Sequence, residues 1–437
     1  MPGMKRGQRA AWALLAVFCA LIVSCAGCGL AGRFGIPRSS EDGKPAPEPV
    51  VLHYSSFLLD AAQAGKVYYE AIADFEKRYP NIKIEANFIQ SNNYTAGIKI
   101  RLLGGEPLDV FDTWSPSLFE EFRKLRPDVY LDLSGSPFLD DFYPSSLKPV
   151  EVDGKVYGVP EVMHSDGLIY NQTMFDRLGL QVPRTWDELL ELCETLKREG
   201  IIPIAADGEW SNAQFFWGSI MSNNGADAEW TKKLESGQIK IDHPYFVDAI
   251  SKHKLLIDRG YVPKNWTSLK HEQAKDLIGN GSAAMLITGT WDLLTIKERD
   301  PSQDIRFMVI PGSTRTVPNI NVGSYRVINS QTKHPEEAKL FVAFMNGRAS
   351  QEKLARGANA IPSTISSSQG WNESTSSIAA AVTQKEATLY WPHTISTESL
   401  QVKILEGVNH YLAGAPLKTA LDDIQKAIDE ARKSSLP

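Results

Sequence analysis

Residues 50–113 alternate two hydrophobic periodicities, and that alternation restricts the fold more than any other part of the chain. Val50-Val51-Leu52-His53-Tyr54 is a short apolar run ending in Ser55-Ser56, and Tyr68, Ile72, Phe75 and Tyr79 then share one face of a helix stopped by Pro80. Ile82, Ile84, Ala86 and Phe88 alternate as a strand, Asn92-Asn93-Tyr94 reads as a loop into a second helix ending near Gly104-Gly105, and 108–111 is a third strand. Strand, helix, strand, helix, strand requires parallel βαβ units with helices on both faces of a sheet. Ligands of such sheets sit beyond the carboxyl ends of the strands. That rule singles out Tyr54 with Ser55, the loop around Asn93, and Asp112-Thr113-Trp114. Each sets short hydrogen-bonding groups beside an aromatic plane, which suits a sugar ring with hydroxyls on its rim and an apolar CH face.

A second α/β half follows from residues 157–194. The segment 156–162 is extended and broken by Gly158 and Pro160, a polar turn covers 163–167, and Leu168-Ile169-Tyr170 is a short strand. Asn171 opens a brief helix that Gly179 ends. Thr185 and Glu188 have capping-box spacing, with Trp186, Leu189, Leu190 and Cys193 on the apolar face that follows. The chain here leaves one lobe and founds another. Further on, Trp210 lies in a polar loop, and the strand 283–287 runs into Thr288-Gly289-Thr290-Trp291, where small residues let a backbone approach a ligand. Gly323-Ser324-Tyr325 leads back toward the first lobe, and Tyr390-Trp391-Pro392-His393 is a Pro-flanked loop that reaches toward the cleft. Glu161, His164, Tyr325 and Trp391 join the candidate ligand contacts, whereas Trp217 reads as core.

At 437 residues the chain suits two lobes with separate cores, and a mean hydropathy of -0.23 is that of an ordinary globular protein. The net charge is -6, and removing residues 1–24 takes away Lys5, Arg6 and Arg9 to leave -9. No long basic run remains for phosphates, so a nucleic-acid partner is not expected. Those three cations precede an apolar stretch over 10–23, the layout of a signal segment. Leu21-Ile22-Val23-Ser24-Cys25 resembles a bacterial lipobox, which makes Cys25 the expected lipidated residue, with Cys28 as the alternative. Residues 25–48 read as a flexible tether. Only Cys193 then remains in the fold, and no disulfide is expected.

Eight histidines are scattered without H-E-x-x-H spacing, and no G-x-S-x-G elbow, P-loop or strand-borne G-x-G-x-x-G is present, so neither a metal nor a cofactor is expected. A carboxylate pair of glycosidase type is not excluded by counting. The order GVP…LIYN…LGL..P.TWDEL in 158–189 resembles the extracytoplasmic sugar-binding proteins of ABC importers, the maltose-binding-like group. FEKRYPNIKIEANF at 75–88, GNGSAAMLITGTW at 279–291 and VGSYRVINSQTKHPEEAKLFVAFM at 322–345 repeat the resemblance in the family's order.

The resemblance implies a two-lobed α/β fold, each lobe a mainly parallel sheet flanked by helices, with three crossings between lobes. The expected division is lobe 1 over 49–163 and 323–357, and lobe 2 over 164–322 and 358–437. It further implies a monomeric, non-enzymatic lipoprotein on the outer face of the cell membrane that passes an oligosaccharide to permease subunits, with Trp291 lining the sugar site. Hinges are expected at 162–167, 323–326 and 357–359. One alternative keeps the fold and changes the ligand to a polyamine, metal chelate or peptide, held by Asp112, Glu161, Asp166 and Glu209. The other is a secreted carbohydrate-active enzyme.

Overall fold

The computed structural model describes residues 48–57, 62–89, 91–209, 211–313, 315–358, 360–368 and 387–434. The signal segment, most of the tether with Cys25 and Cys28, Trp210 and Asn359 lie outside the described residues.

Two main sheets carry the fold. The first runs in the order Ile82–Phe88, Val50–Ser56, Val110–Thr113, Tyr325–Ile328, Gly158–Pro160. Its first three strands are parallel, as the βαβ pattern requires, and the last two join antiparallel. The second sheet runs Ile305–Met308, Asp166–Asn171, Ala283–Gly289, Ile202–Ala205, with a single parallel pair. Both sheets are therefore mixed rather than mainly parallel. The reason is connectivity: a strand entering from the other lobe is not bound to the parallel direction that a local crossover helix imposes.

A small third sheet joins them, in the order Ile361–Pro362, Val162–His164, Asn319–Val322, Thr388–Leu389. The chain passes from the first sheet through Val162–His164 into Asp166–Asn171, and returns through Asn319–Val322 into Tyr325–Ile328. The first crossing, anticipated at 162–167, is thus hydrogen-bonded through 163–164 to 321–322, the strand that leads into the return anticipated at 323–326. Met163, Ile320, Val322 and Ile361 of this sheet sink into the same apolar cluster as Phe111, Phe119 and Tyr325.

Local rules account for the element ends. Thr185 Oγ1 accepts from the Glu188 N–H at 3.2 Å, and Glu188 accepts from the Arg184 N–H at 2.6 Å. Asp187 and Glu188 occupy the first turn of that helix and Lys197 and Arg198 its last, which matches the helix dipole. Gly179 adopts φ 66° after the helix Gln172–Leu178, a left-handed cap that favours glycine. Trp186, Leu189 and Cys193 are buried as the spacing predicts, and burial raises the Cys193 thiol, leaving it inert.

Candidate functional site

Trp114 follows the last residue of the strand Val110–Thr113 and stands at the start of the helix Ser115–Leu125. Thr113 pairs with Tyr325, the first residue of the strand arriving from the hinge sheet. Trp291 follows the strand Ala283–Gly289, whose last residue pairs with Asp166, the first residue after the other hinge crossing. Each tryptophan therefore stands at the end of its sheet that meets the crossing strands. Trp114 is partly buried and meets Phe57 at 4.7 Å and Tyr94 at 5.4 Å between ring centroids. Trp291 is also partly buried, with His164 at 5.4 Å and Phe215 at 5.2 Å. Gly289 is required here: a Cβ on it would fall 2.1 Å from the Trp291 ring.

The polar residues predicted around Trp114 lie differently. Tyr54 and Ser55 belong to the strand Val50–Ser56 and Asp112 to Val110–Thr113, and all three are buried rather than looped out. The strands extend further than their apolar runs because a buried guanidinium neutralises their ends. Arg326 donates to Glu161 Oε1 at 2.7 Å and to the Tyr54 hydroxyl at 3.1 Å, and its Nε lies 3.5 Å from Asp112 Oδ1. Tyr54 donates to Asp112 Oδ2 at 2.7 Å, and Ser324 donates to Glu161. Burial raises the Asp112 carboxyl, an effect that Arg326 opposes. Tyr54, Asp112 and Glu161 are thus bound to one another and do not present free groups to a ligand. The carboxylates of the cationic-ligand alternative are largely committed too, since Glu209 accepts from the His271 N–H at 2.9 Å.

Three further placements correct the sequence reading. Asn93 is exposed, but in the helix Ser91–Gly104 and not in a loop, because the neighbouring Tyr94 anchors that turn by accepting from the Asp112 N–H at 3.0 Å. Tyr325 is buried in the first lobe's core. Trp391 is fully buried, edge-on to Trp217 at 5.6 Å and to Trp230 at 5.6 Å, because the second lobe needs large rings to fill the space between its helices. Arg326 is the functional neighbour that sequence reasoning missed. Its signal was available, as a lone cation inside the apolar run Tyr325–Ile328.

Behind Trp291 lies a charged clamp. The His271 ring reaches Asp207 Oδ2 at 3.0 Å through Nδ1 and Asp292 Oδ2 at 2.7 Å through Nε2, while Lys275 stands 3.4 Å from Asp292 Oδ1. Burial alone would lower this imidazole, but the two carboxylates outweigh it and hold it up to about 9. The clamp ties the 207–209 loop to Asp292, the residue after Trp291. A group raised from 6.5 to about 9 contributes its stability fully below pH 6.5 and loses it as the pH climbs through 9. The span corresponds to about 3 kcal/mol. Chemical denaturation from pH 6 to 10 should therefore show wild type losing stability relative to His271→Gln, and parallel profiles for the two would refute the clamp. His164 contrasts with it: burial lowers its ring to about 4, so it is neutral, with Nδ1 3.2 Å from Thr290 Oγ1.

The lobes also touch beside the hinge, where Ser117 donates to Gln401 at 3.4 Å between the helices Ser115–Leu125 and Glu398–Leu412. A cavity of about 300 Å³ lies at the opposite end of the first sheet, lined by Arg101, Asp109, Arg126 and His334 among others. Of the predicted site residues that are described, none lines it. Among the described residues no group of three or more His, Cys, Asp or Glu is placed to hold a metal ion.

Two α/β lobes joined by crossing strands carry a tryptophan at the hinge-side end of each main sheet. The chain belongs to the bacterial extracellular solute-binding protein family, whose model matches residues 60–352. It is 30% identical over 291 residues to the multiple sugar-binding protein of Streptococcus mutans, covering 64% of this chain and 68% of that one. To the melibiose/raffinose/stachyose-binding protein MelE of Bacillus subtilis it is 25% identical over 326 residues, 71% and 73% of the two chains. The apo form of RafE from Streptococcus pneumoniae superposes with a TM-score of 0.73 at 22% identity, over 89% of this chain and 100% of that one.

Proposed function

We propose that this protein captures an oligosaccharide between its lobes and delivers it to the permease of an ABC-type importer. The observation that carries the reading is the position of Trp114 and Trp291, one on each hinge-side sheet end, in a chain whose relatives are named for multiple sugars, melibiose, raffinose and stachyose. One aromatic ring at the hinge-side end of each sheet suits a chain of pyranoses, which stack by their CH faces while their rims find polar groups. His164, the Gly289 backbone, Asn93 and Trp210 complete the proposed contacts. Lobe 1 is assigned to 49–163 and 323–357, and lobe 2 to 164–322 and 358–437. Binding closes the lobes about the crossing strands.

A thermal-shift screen over mono- and oligosaccharides tests the reading, since a ligand bound only by the native state raises the melting temperature. Chromatography of the same mixtures separates it from a hydrolase: unchanged sugar supports a receptor, and released product refutes it. The protein acts outside the cytoplasm as a monomer held by lipid on Cys25. Cys25→Ser should move it from the membrane fraction to the soluble fraction, whereas Cys28→Ser should leave it there. The reverse pattern would transfer the anchor to Cys28.

A further inference from the structure

Asp166 is buried, and its Oδ2 has no hydrogen-bond partner among the described residues. Among the described residues its Oδ1 accepts only from Asn321 Nδ2, at a long 3.2 Å, and no cation stands near it. A buried carboxyl left in this condition costs stability and calls for a reason. The neighbouring carboxylates do not share the condition. Asp292 has His271 and Lys275, and Glu161 has Arg326.

Its position supplies the reason. Asp166 pairs directly with Gly289 across antiparallel strands. Directly paired residues project to the same face of a sheet, about 5 Å apart. The direction a Gly289 side chain would take is filled by the Trp291 ring, 2.1 Å from the ideal Cβ position. The indole and the Asp166 carboxyl are therefore side by side on one face. Phe215 touches Trp291 and, at 5.9 Å, Tyr390. Tyr390 brings a second buried polar atom, a hydroxyl without a partner among the described residues, one that burial and the Asp166 charge both discourage from ionising. Ser165 Oγ, next in the chain, is a third orphaned polar atom.

We infer that Asp166 is the polar anchor of the sugar site, accepting hydroxyl hydrogen bonds from the sugar ring stacked on Trp291, with Tyr390 as a flanking partner. The assignment rests on the sugar-receptor reading. A neutral polyol fits better than an amine, because a single carboxyl beside the Tyr390 hydroxyl offers an acceptor and a donor rather than accumulated charge.

Calorimetric titration of the purified full chain with five neutral sugars (melibiose, raffinose, stachyose, maltotriose and chitobiose) and with the amines glucosamine and spermidine tests it. Asp166→Asn should weaken the binding of the sugar that wild type takes by at least thirtyfold. The melting temperature of the empty protein should stay level or rise, because an unpaired buried carboxyl is removed and the Asn321 contact retained. Weaker binding together with a fall in melting temperature would make Asp166 structural support and overturn the assignment. Equal affinity in wild type and variant would overturn it while leaving the receptor reading intact. Absence of wild-type binding to all five sugars would remove the receptor reading and this inference with it. Wild-type preference for glucosamine or spermidine over every neutral sugar would overturn the hydroxyl-acceptor role. Should Asp166→Asn not fold, Tyr390→Phe, which deletes one hydroxyl and keeps the ring, must weaken binding at least threefold; unchanged binding would overturn the pocket.

Discussion

Arg326→Leu is expected to lower the unfolding free energy by about 3–5 kcal/mol, the range for breaking a buried ion pair from one side. The guanidinium is fully buried and faces three groups at once: Glu161, Asp112 and the Tyr54 hydroxyl. Burial by itself would lower its proton affinity, but those facing groups raise it, so it stays charged. Removing it leaves two carboxyl groups in the interior without a cation. They must then either take up protons or draw in water. Urea titration at neutral pH reads the loss. A second titration near pH 4 should show a smaller deficit, because acid neutralises the abandoned carboxyls. A deficit below 1 kcal/mol at neutral pH would mean that the lobe tolerates these charges unpaired.

The network also explains how the first lobe keeps its hinge-side edge in shape. Glu161 immediately precedes the crossing strand Val162–His164, and Ser324, which donates to it, immediately precedes the returning strand Tyr325–Ile328. One cation therefore holds both hinge connections to the sheet. This makes Glu161 and Asp112 positioning residues for the lobe edge, where sequence reasoning placed ligand contacts.

The second large effect concerns affinity. Trp291→Ala should weaken sugar binding by more than tenfold with a modest change in melting temperature, since the ring is partly exposed and packs at the border of its core. Trp114→Ala should do the same on the facing lobe. Gly289→Val provides an independent check that leaves the indole in the chain. A Cβ already collides with the ring at 2.1 Å, so a branched side chain must displace it. Affinity of Gly289→Val should fall to that of Trp291→Ala. If both variants bind as wild type does, the stacking surface lies elsewhere; if only Gly289→Val binds normally, the ring works without its seat on Gly289.

Much of the fold was legible because it rests on local rules. The strand 82–88, the helix stopped before Pro80, the Thr185 cap and the Gly179 terminator each follow from residues within one or two turns of each other. The site was legible in part. Trp114 and Trp291 could be placed because strand ends are visible as the points where apolar runs stop. Trp391 could not, because a Pro-flanked aromatic loop reads the same whether it faces a cleft or plugs a core.

Sequence alone determined the α/β class and the two-lobed architecture, since periodicity and capping are short-range and each sheet's first strands are joined by local helices. Tertiary structure decided the rest: that Arg326 claims Tyr54, Asp112 and Glu161, and that Asp166 stands beside Trp291 with an oxygen unspent. Those pairings join residues more than a hundred positions apart. Whether a buried charge meets a partner depends on strand register across the lobes, a quantity no local pattern carries.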